Sequence, residues 1–264
     1  MMPGINLLPV DTEGLVIEYE LEKIPAGSLV SIQMVNNETG VWQDIKRLCE
    51  IVHAHGSYFH CDAVQAFPHF RIDVNDLDVD FLSISGPKFG CAAGIGLLYV
   101  KDKSLLSPLI HNTQEFGLRG GTENCAYICG MANRMYSIIH QDYEALEQRY
   151  MDFEDYLTTY FTREGLDFRF NGTRITYSIL SISFKGINAL QLVEALDEQG
   201  VMVSTGSACA SHETEPSHVL KAMHVPDEYI NGTIRISFCP DTTMDEVKEA
   251  AEVIAACVKL LRAS

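Results

Sequence analysis

Apolar and polar positions fall into blocks whose period changes along the chain. Residues 28–35 (SLVSIQMV) are a strand-length apolar run closed by the polar stretch Asn36-Asn37-Glu38-Thr39-Gly40, which predicts a buried strand ending in a loop. From 44 to 55, apolar residues recur at 45, 48, 51 and 52. That spacing predicts one helical face, with Gly56 as its C-cap. Residues 57–61, 79–83 and 95–100 read as further strands, and 5–10 as a strand-like start. Strands alternating with helices predict an α/β unit with a mostly parallel sheet.

Beyond residue 110 the pattern loosens. Residues 111–124 (HNTQEFGLRGGTEN) form a long polar, glycine-rich loop, and such loops in compact domains tend to carry function. Residues 126–161 predict a long helical stretch, bent or broken in its middle, that leads into a second domain. There the pattern predicts a strand at 175–184, a helix at 190–199 closed by Gly200 and a short strand at 201–203. Helical turns at 217–223, a period-two strand at 232–238 and a helix at 244–261 behind Asp241-Thr242-Thr243 complete it. This reads as a small α+β unit, with domains at 1–135 and 136–264.

Composition narrows the class. Of 264 residues, 47% are apolar and 21% charged, as in a soluble globular protein. Acidic residues number 36 against 19 basic ones, a formal charge of −17. That charge argues against nucleic acid and anionic membrane as partners. The eight cysteines are scattered without a CxxC pair, so neither a zinc site nor a disulfide framework is indicated. Reduced thiols in the cytoplasm are the expectation.

Two pieces of chemistry lie between residues 60 and 90. Asp62 and Gln65 follow the apolar pair Tyr58-Phe59, and Lys88 ends the loop Ser83-Ile84-Ser85-Gly86-Pro87. Taken singly, an Asp near a strand end most often caps a turn, and a Lys beside glycine is most often a solvated charge. Together, at the ends of parallel strands where ligands sit, they suit pyridoxal 5'-phosphate (PLP): an amine for the aldehyde and a carboxylate for the pyridinium nitrogen. Further along stand Gln114-Glu115, Gly120-Gly121-Thr122-Glu123-Asn124, the stretch Ser204-Thr205-Gly206-Ser207-Ala208-Cys209, and Arg235 within a strand.

In this order the motifs resemble the class V aminotransferase family, and within it the cysteine desulfurases. The resemblance runs from about Ile5 to the C-terminus. It implies the PLP-dependent transferase fold type I: an α/β architecture with a partial large domain, a mostly parallel sheet and a small α+β C-terminal domain. It implies PLP as cofactor. Lys88 matches the Schiff-base lysine, Asp62 the partner of the ring nitrogen, Gln65 the donor to the phenolic oxygen and Ser85 a phosphate ligand. Thr122 matches a residue that reaches the phosphate of a neighbouring subunit, which implies a homodimer. Asn37 matches a residue beside the ring and the substrate carboxylate, and Arg235 the arginine that grips that carboxylate. Cys209 matches the nucleophile that takes sulfur from L-cysteine as a persulfide, for delivery to an acceptor protein.

The chain also departs from the family pattern. It begins late, lacking the portion that supplies a phosphate-binding loop and a ring-stacking histidine, so a complementing N-terminal chain is an expected partner. Pro87 stands where the family has histidine. Residues His111-Asn112-Thr113 lack the usual glycines, and Phe116 replaces an arginine. Two other readings remain open on sequence alone: a degenerate paralogue acting as a binding partner, and a selenocysteine lyase or another class V lyase.

Overall fold

The computed structural model describes residues 5–206 and 216–263, and they group into two compact units. One, the parallel unit, comprises Glu18–Met34 and Asp44–Asp142. The other, the antiparallel unit, comprises the described residues of Met1–Ile17, Val35–Gln43 and Tyr143–Ser264. The sequence pattern drew a single boundary after residue 135. Long-range pairing places two early segments with the C-terminal half instead. Val41 bridges to Ile175, and the Trp42 N–H donates to the Arg174 carbonyl at 2.9 Å. The Arg174 guanidinium also lies 3.5 Å from the Trp42 ring centre, a cation–π contact. The Gln43 amide clasps residues 14 and 16, accepting from the Val16 N–H at 3.0 Å and donating to the Gly14 carbonyl at 2.8 Å. None of these pairings has a local sequence signature.

In the parallel unit, helix α1 (Glu18–Leu21) precedes β1 (Leu29–Gln33), α2 (Ile45–Ala54), β2 (Tyr58–Asp62), α3 (Val74–Leu77), β3 (Phe81–Ser85), β4 (Gly96–Val100) and α4 (Cys125–Ile139). The sheet order is β1-β2-β3-β4; the first three strands are parallel and β4 returns antiparallel to β3. The expected mostly parallel sheet is therefore present. Asp44 starts α2 by accepting the Arg47 N–H, and Ile45, Leu48, Cys49 and Val52 form its buried stripe. That stripe packs on β2, on the sheet face that buries Val30, Ile32, Phe59, Cys61, Leu82 and Ile84. The opposite face is more open: Leu29 is 61% exposed and Leu98 54%. Hence β1 alternates between buried and exposed residues, where the continuous apolar run predicted a strand buried throughout.

The antiparallel unit holds α5 (Tyr143–Arg163), β5 (Phe168–Phe170), β6 (Ile179–Phe184), α6 (Ala189–Asp197), α7 (His218–Ala222), α8 (Asp227–Ile230), β7 (Thr233–Ser237) and α9 (Met244–Ala263). Its three-stranded sheet runs β5-β6-β7, antiparallel throughout, with all six residues of β6 buried. Phe153, Leu157 and Phe161 of α5 share one core with Leu180, Ile182 and Phe184 of β6 and with Ile254 and Val258 of α9.

The long helical stretch is broken in its middle as expected, into α4 and α5, with the interruption after Ile139. Three local expectations are corrected. Residues 5–10 form no strand; Val10 makes one bridge, to Val16. Strand β6 begins at Ile179 rather than 175, because Tyr177 lies at φ 57 and turns the chain out of extended geometry. Residues 201–203 are not a strand, although Ser204 bridges Arg235. Among the described residues, no helix is long and apolar enough to cross a membrane, and no cluster of His, Cys, Asp and Glu is arranged to hold a metal ion.

Candidate functional site

Parallel strands bring their C-terminal ends to one sheet edge, and here those ends are Gln33, Asp62 and Ser85. Asp62 is the register partner of Ser83. The Ala63 N–H closes the step between the strands by donating to the Ser83 carbonyl at 2.9 Å. Asp62 Oδ1 accepts the Val64 N–H at 3.0 Å, which turns the chain so that half-buried Gln65 follows directly. Two residues beyond Ser83, Ser85 leads into a 3-10 turn, Gly86–Phe89. Pro87 occupies the start of that turn, where its missing N–H costs no hydrogen bond. Exposed Lys88 is thereby held between buried Gly86 and Phe89. Phe89 packs edge-on against Phe67 at 4.9 Å. A side chain at Gly86 would sit 2.7 Å from Ile95 Cγ2, so the turn is seated directly on its neighbour.

Beside Asp62 runs a feature absent from the sequence-based candidates. His60, two residues earlier on the same strand face, is hydrogen bonded through Nδ1 to Ser31 Oγ and through Nε2 to Ser83 Oγ, both at 2.7 Å. A polar seam thus crosses β1, β2 and β3. Burial pushes the His60 imidazole below its ordinary pKa, with the Asp62 charge opposing. The neutral ring suits two hydroxyl partners. The HxD pattern could have flagged this pair, but not the serines.

The glycine-rich loop places Thr122 on the surface. Ile110 bridges Arg119, and the Gly120 N–H donates to the Ile110 carbonyl at 2.7 Å. Phe116, which stands where an arginine is usual, is 84% exposed at φ 58 with the Lys103 ammonium 5.0 Å from its ring centre. Asn124 ends the loop as the side-chain cap of α4.

Asn37 and Arg235 fall together in the antiparallel unit. The polar stretch at 36–40 is a turn built by Asn36, whose Oδ1 accepts the Glu38 and Thr39 N–H groups at 3.0 and 2.9 Å. Its backbone closes the turn through Gly40 N–H to the Asn36 carbonyl at 2.9 Å. Arg235 Nη1 donates to the Asn37 carbonyl at 2.8 Å. Arg235 is also fixed along its backbone, exchanging two hydrogen bonds with Ser204. Burial weakens the guanidinium's hold on its proton, and Glu38 offsets this. Glu38, in sequence one polar residue of a polar turn, is only 5% exposed.

Asp62, Gln65, Ser85, Lys88 and Thr122 therefore share the parallel unit, while Asn37 and Arg235 share the antiparallel unit. Cys209 lies outside the described residues. The edge formed by Asp62, Ser85 and Lys88 offers a carboxylate, a hydroxyl and a primary amine, a donor set that fits a pyridine nitrogen, a phosphate and an aldehyde.

Comparison with known proteins agrees with that chemistry. The chain is 38% identical to the cysteine desulfurase IscS of Dictyoglomus turgidum, over 98% of this chain and 66% of that protein. It thus spans just under two thirds of the length of this curated relative. Among solved structures, a NifS-like protein matches with a TM-score of 0.87 and 30% identity, covering 98% of this chain and 70% of that one. SspA in complex with cysteine matches with a TM-score of 0.73 and 33% identity, covering 90% and 67%. These neighbours carry the PLP fold type I. The model of the family described as aminotransferase class-V, whose members depend on PLP, aligns with residues 3–249. That span takes in every candidate residue described above, and the chain belongs to the class-V aminotransferase family.

Proposed function

We propose that this chain carries the catalytic machinery of a PLP-dependent cysteine desulfurase, converting L-cysteine to L-alanine and leaving the sulfur as a persulfide on Cys209. The observation that carries the reading is the shared sheet edge of Asp62, Ser85 and Lys88. The relatives' names as cysteine desulfurases, and the cysteine in complex with one of the solved neighbours, support the substrate.

When bound, the cofactor supplies an electron sink that loosens the substrate C–S bond. The chain's own residues do the rest. Lys88 holds the cofactor through its amine and moves protons at the substrate Cα. Asp62 keeps the ring nitrogen protonated, Gln65 donates to the phenolic oxygen and Ser85 binds the phosphate. Arg235 takes the substrate carboxylate with a planar, multi-donor group, and Asn37 stands beside it through their backbone contact. The Cys209 thiolate attacks the substrate sulfur. One S–S bond forms and one C–S bond breaks; the thiol becomes a persulfide and the carbon skeleton leaves as alanine. Thr122, on the surface, is suited to the phosphate of a second subunit, and an acceptor protein takes the sulfur onward.

The test is PLP incubation, borohydride reduction and peptide mapping, paired with assay of alanine release from L-cysteine. The expected result is a pyridoxyl mass on Lys88 and alanine release, both lost in Lys88→Ala. Cys209→Ala should lose only the alanine release. A folded protein with no adduct on Lys88 overturns the reading.

A further inference from the structure

Glu38 is a carboxyl group in an unusual position. Its side chain is almost wholly buried, and Oε1 has no hydrogen-bond partner among the described residues. The nearby Arg235 Nε is likewise buried and unpartnered. One acceptor and one donor of opposite charge are thus left unsatisfied in the same neighbourhood, a costly arrangement unless a proton or a ligand resolves it. Glu38 packs against Gly206, where a Cβ would lie 3.2 Å from the carboxyl carbon. Ser217 hydrogen-bonds Glu38, and the two residues line a cavity of about 570 Å³.

We propose that Glu38 is the charge-balancing positioning residue of the carboxylate site: it ionises against Arg235 when that guanidinium is free, and carries a proton when Arg235 holds a substrate carboxylate. Binding of an amino-acid carboxylate is then coupled to uptake of a proton by the protein. This rests on Arg235 as the carboxylate grip; the role of Glu38 is what it adds.

The physical argument is one of counting charge. A single guanidinium cannot serve two buried carboxylates at once without one of them being neutralised. Burial already raises the Glu38 carboxyl above its ordinary pKa of 4.5, while Ser217, His218 and Arg235 oppose the rise. Arg235 is the neighbour whose charge a ligand would cancel. The other groups near Glu38 are His218 on α7 and, along the same cavity, Lys221, Asp227 and Glu228.

Two measurements on the full chain test this. The first is carboxyl 13C NMR of selectively labelled glutamate in the ligand-free protein, with the Glu38 signal assigned by Glu38→Gln. Replacing Arg235 by Gln should move the Glu38 titration to higher pH; an unchanged titration overturns the proposal. The second is calorimetric titration of the PLP-loaded protein with L-alanine in buffers of different ionisation heat. Wild type should take up a fraction of a proton approaching roughly one per ligand, and Glu38→Gln should bind without that uptake. Equal uptake in both proteins, or binding by wild type without uptake, overturns the proposal and leaves the desulfurase reading standing. If the NMR coupling is present but L-alanine does not bind, the carboxylate role of Arg235 fails, and the substrate half of the proposal fails with it.

Discussion

Arg235 reaches across 198 positions of sequence to donate from Nη1 to the Asn37 carbonyl at 2.8 Å. One nitrogen of the fork therefore sets the arginine against the turn at 36–40. Lysine is a point charge and cannot hold both the turn and a carboxylate in one plane. Arg235→Lys is expected to raise the KM for L-cysteine by roughly 10- to 100-fold, the equivalent of one charge-assisted hydrogen bond. Initial-rate kinetics of alanine formation would read it; an unchanged KM would show that the fork is not used.

The turn that Arg235 leans on has no room for a side chain. Gly40 lies at φ 74, and a Cβ there would meet the Ile179 carbonyl oxygen at 2.3 Å. Gly40→Ala is expected to cost at least about 2 kcal/mol from the backbone conformation and the clash together. Gly56 is the control. It lies at φ 64 with nothing within 4 Å of its Cβ, so Gly56→Ala carries the backbone term alone. Denaturant unfolding of the two variants should rank Gly40→Ala as clearly the less stable.

Cysteine reactivity should follow burial rather than sequence context. Burial pushes the Cys49 and Cys61 thiols up to about 12, which leaves on the order of 1 in 10,000 as thiolate at pH 8. Exposed Cys239 is shifted the other way, chiefly by its hydrogen bond with Thr242. Alkylation at pH 8 followed by peptide mapping is expected to label Cys239 early and to spare Cys49 and Cys61 until the protein unfolds. Early labelling of Cys61 would contradict the packing of β2 beneath α2.

A pH dependence of stability is expected from His69. Burial pushes its imidazole from 6.5 to about 4. Between these values the unfolded chain takes a proton that the folded chain refuses. The stabilisation is therefore complete above 6.5 and is lost as pH falls toward 4, by up to about 3 kcal/mol. His69→Asn should flatten the decline of denaturant midpoint over that window. A decline of the same slope in the variant would assign it to other groups.

Much of this architecture could be read from local pattern, and the failures share a cause. Alternating blocks located β2, β3, β4 and β7 within two residues, because each is bounded by polar turns. The placement of Asp62, Ser85 and Lys88 was legible because the first two end β2 and β3 and the third follows β3 by three residues. The pairing of 35–43 with Ile175 and Arg174 was not, because it joins segments far apart in sequence. The same holds for Glu38. In the sequence it is one polar residue of a polar turn, and its burial follows from Gly206, Ser217 and Arg235, all contributed from more than 160 positions away. Strand β5, Phe168–Phe170, is too short to show a period.

The seam joining Ser31, His60 and Ser83 makes three strands answer to one side chain. Loss of His60 strands both serine hydroxyls, and loss of either serine strands one ring nitrogen of His60. Lineages should therefore keep all three or exchange them as a group, so that Ser31, His60 and Ser83 are inherited as one trait although more than 20 residues separate each from the next.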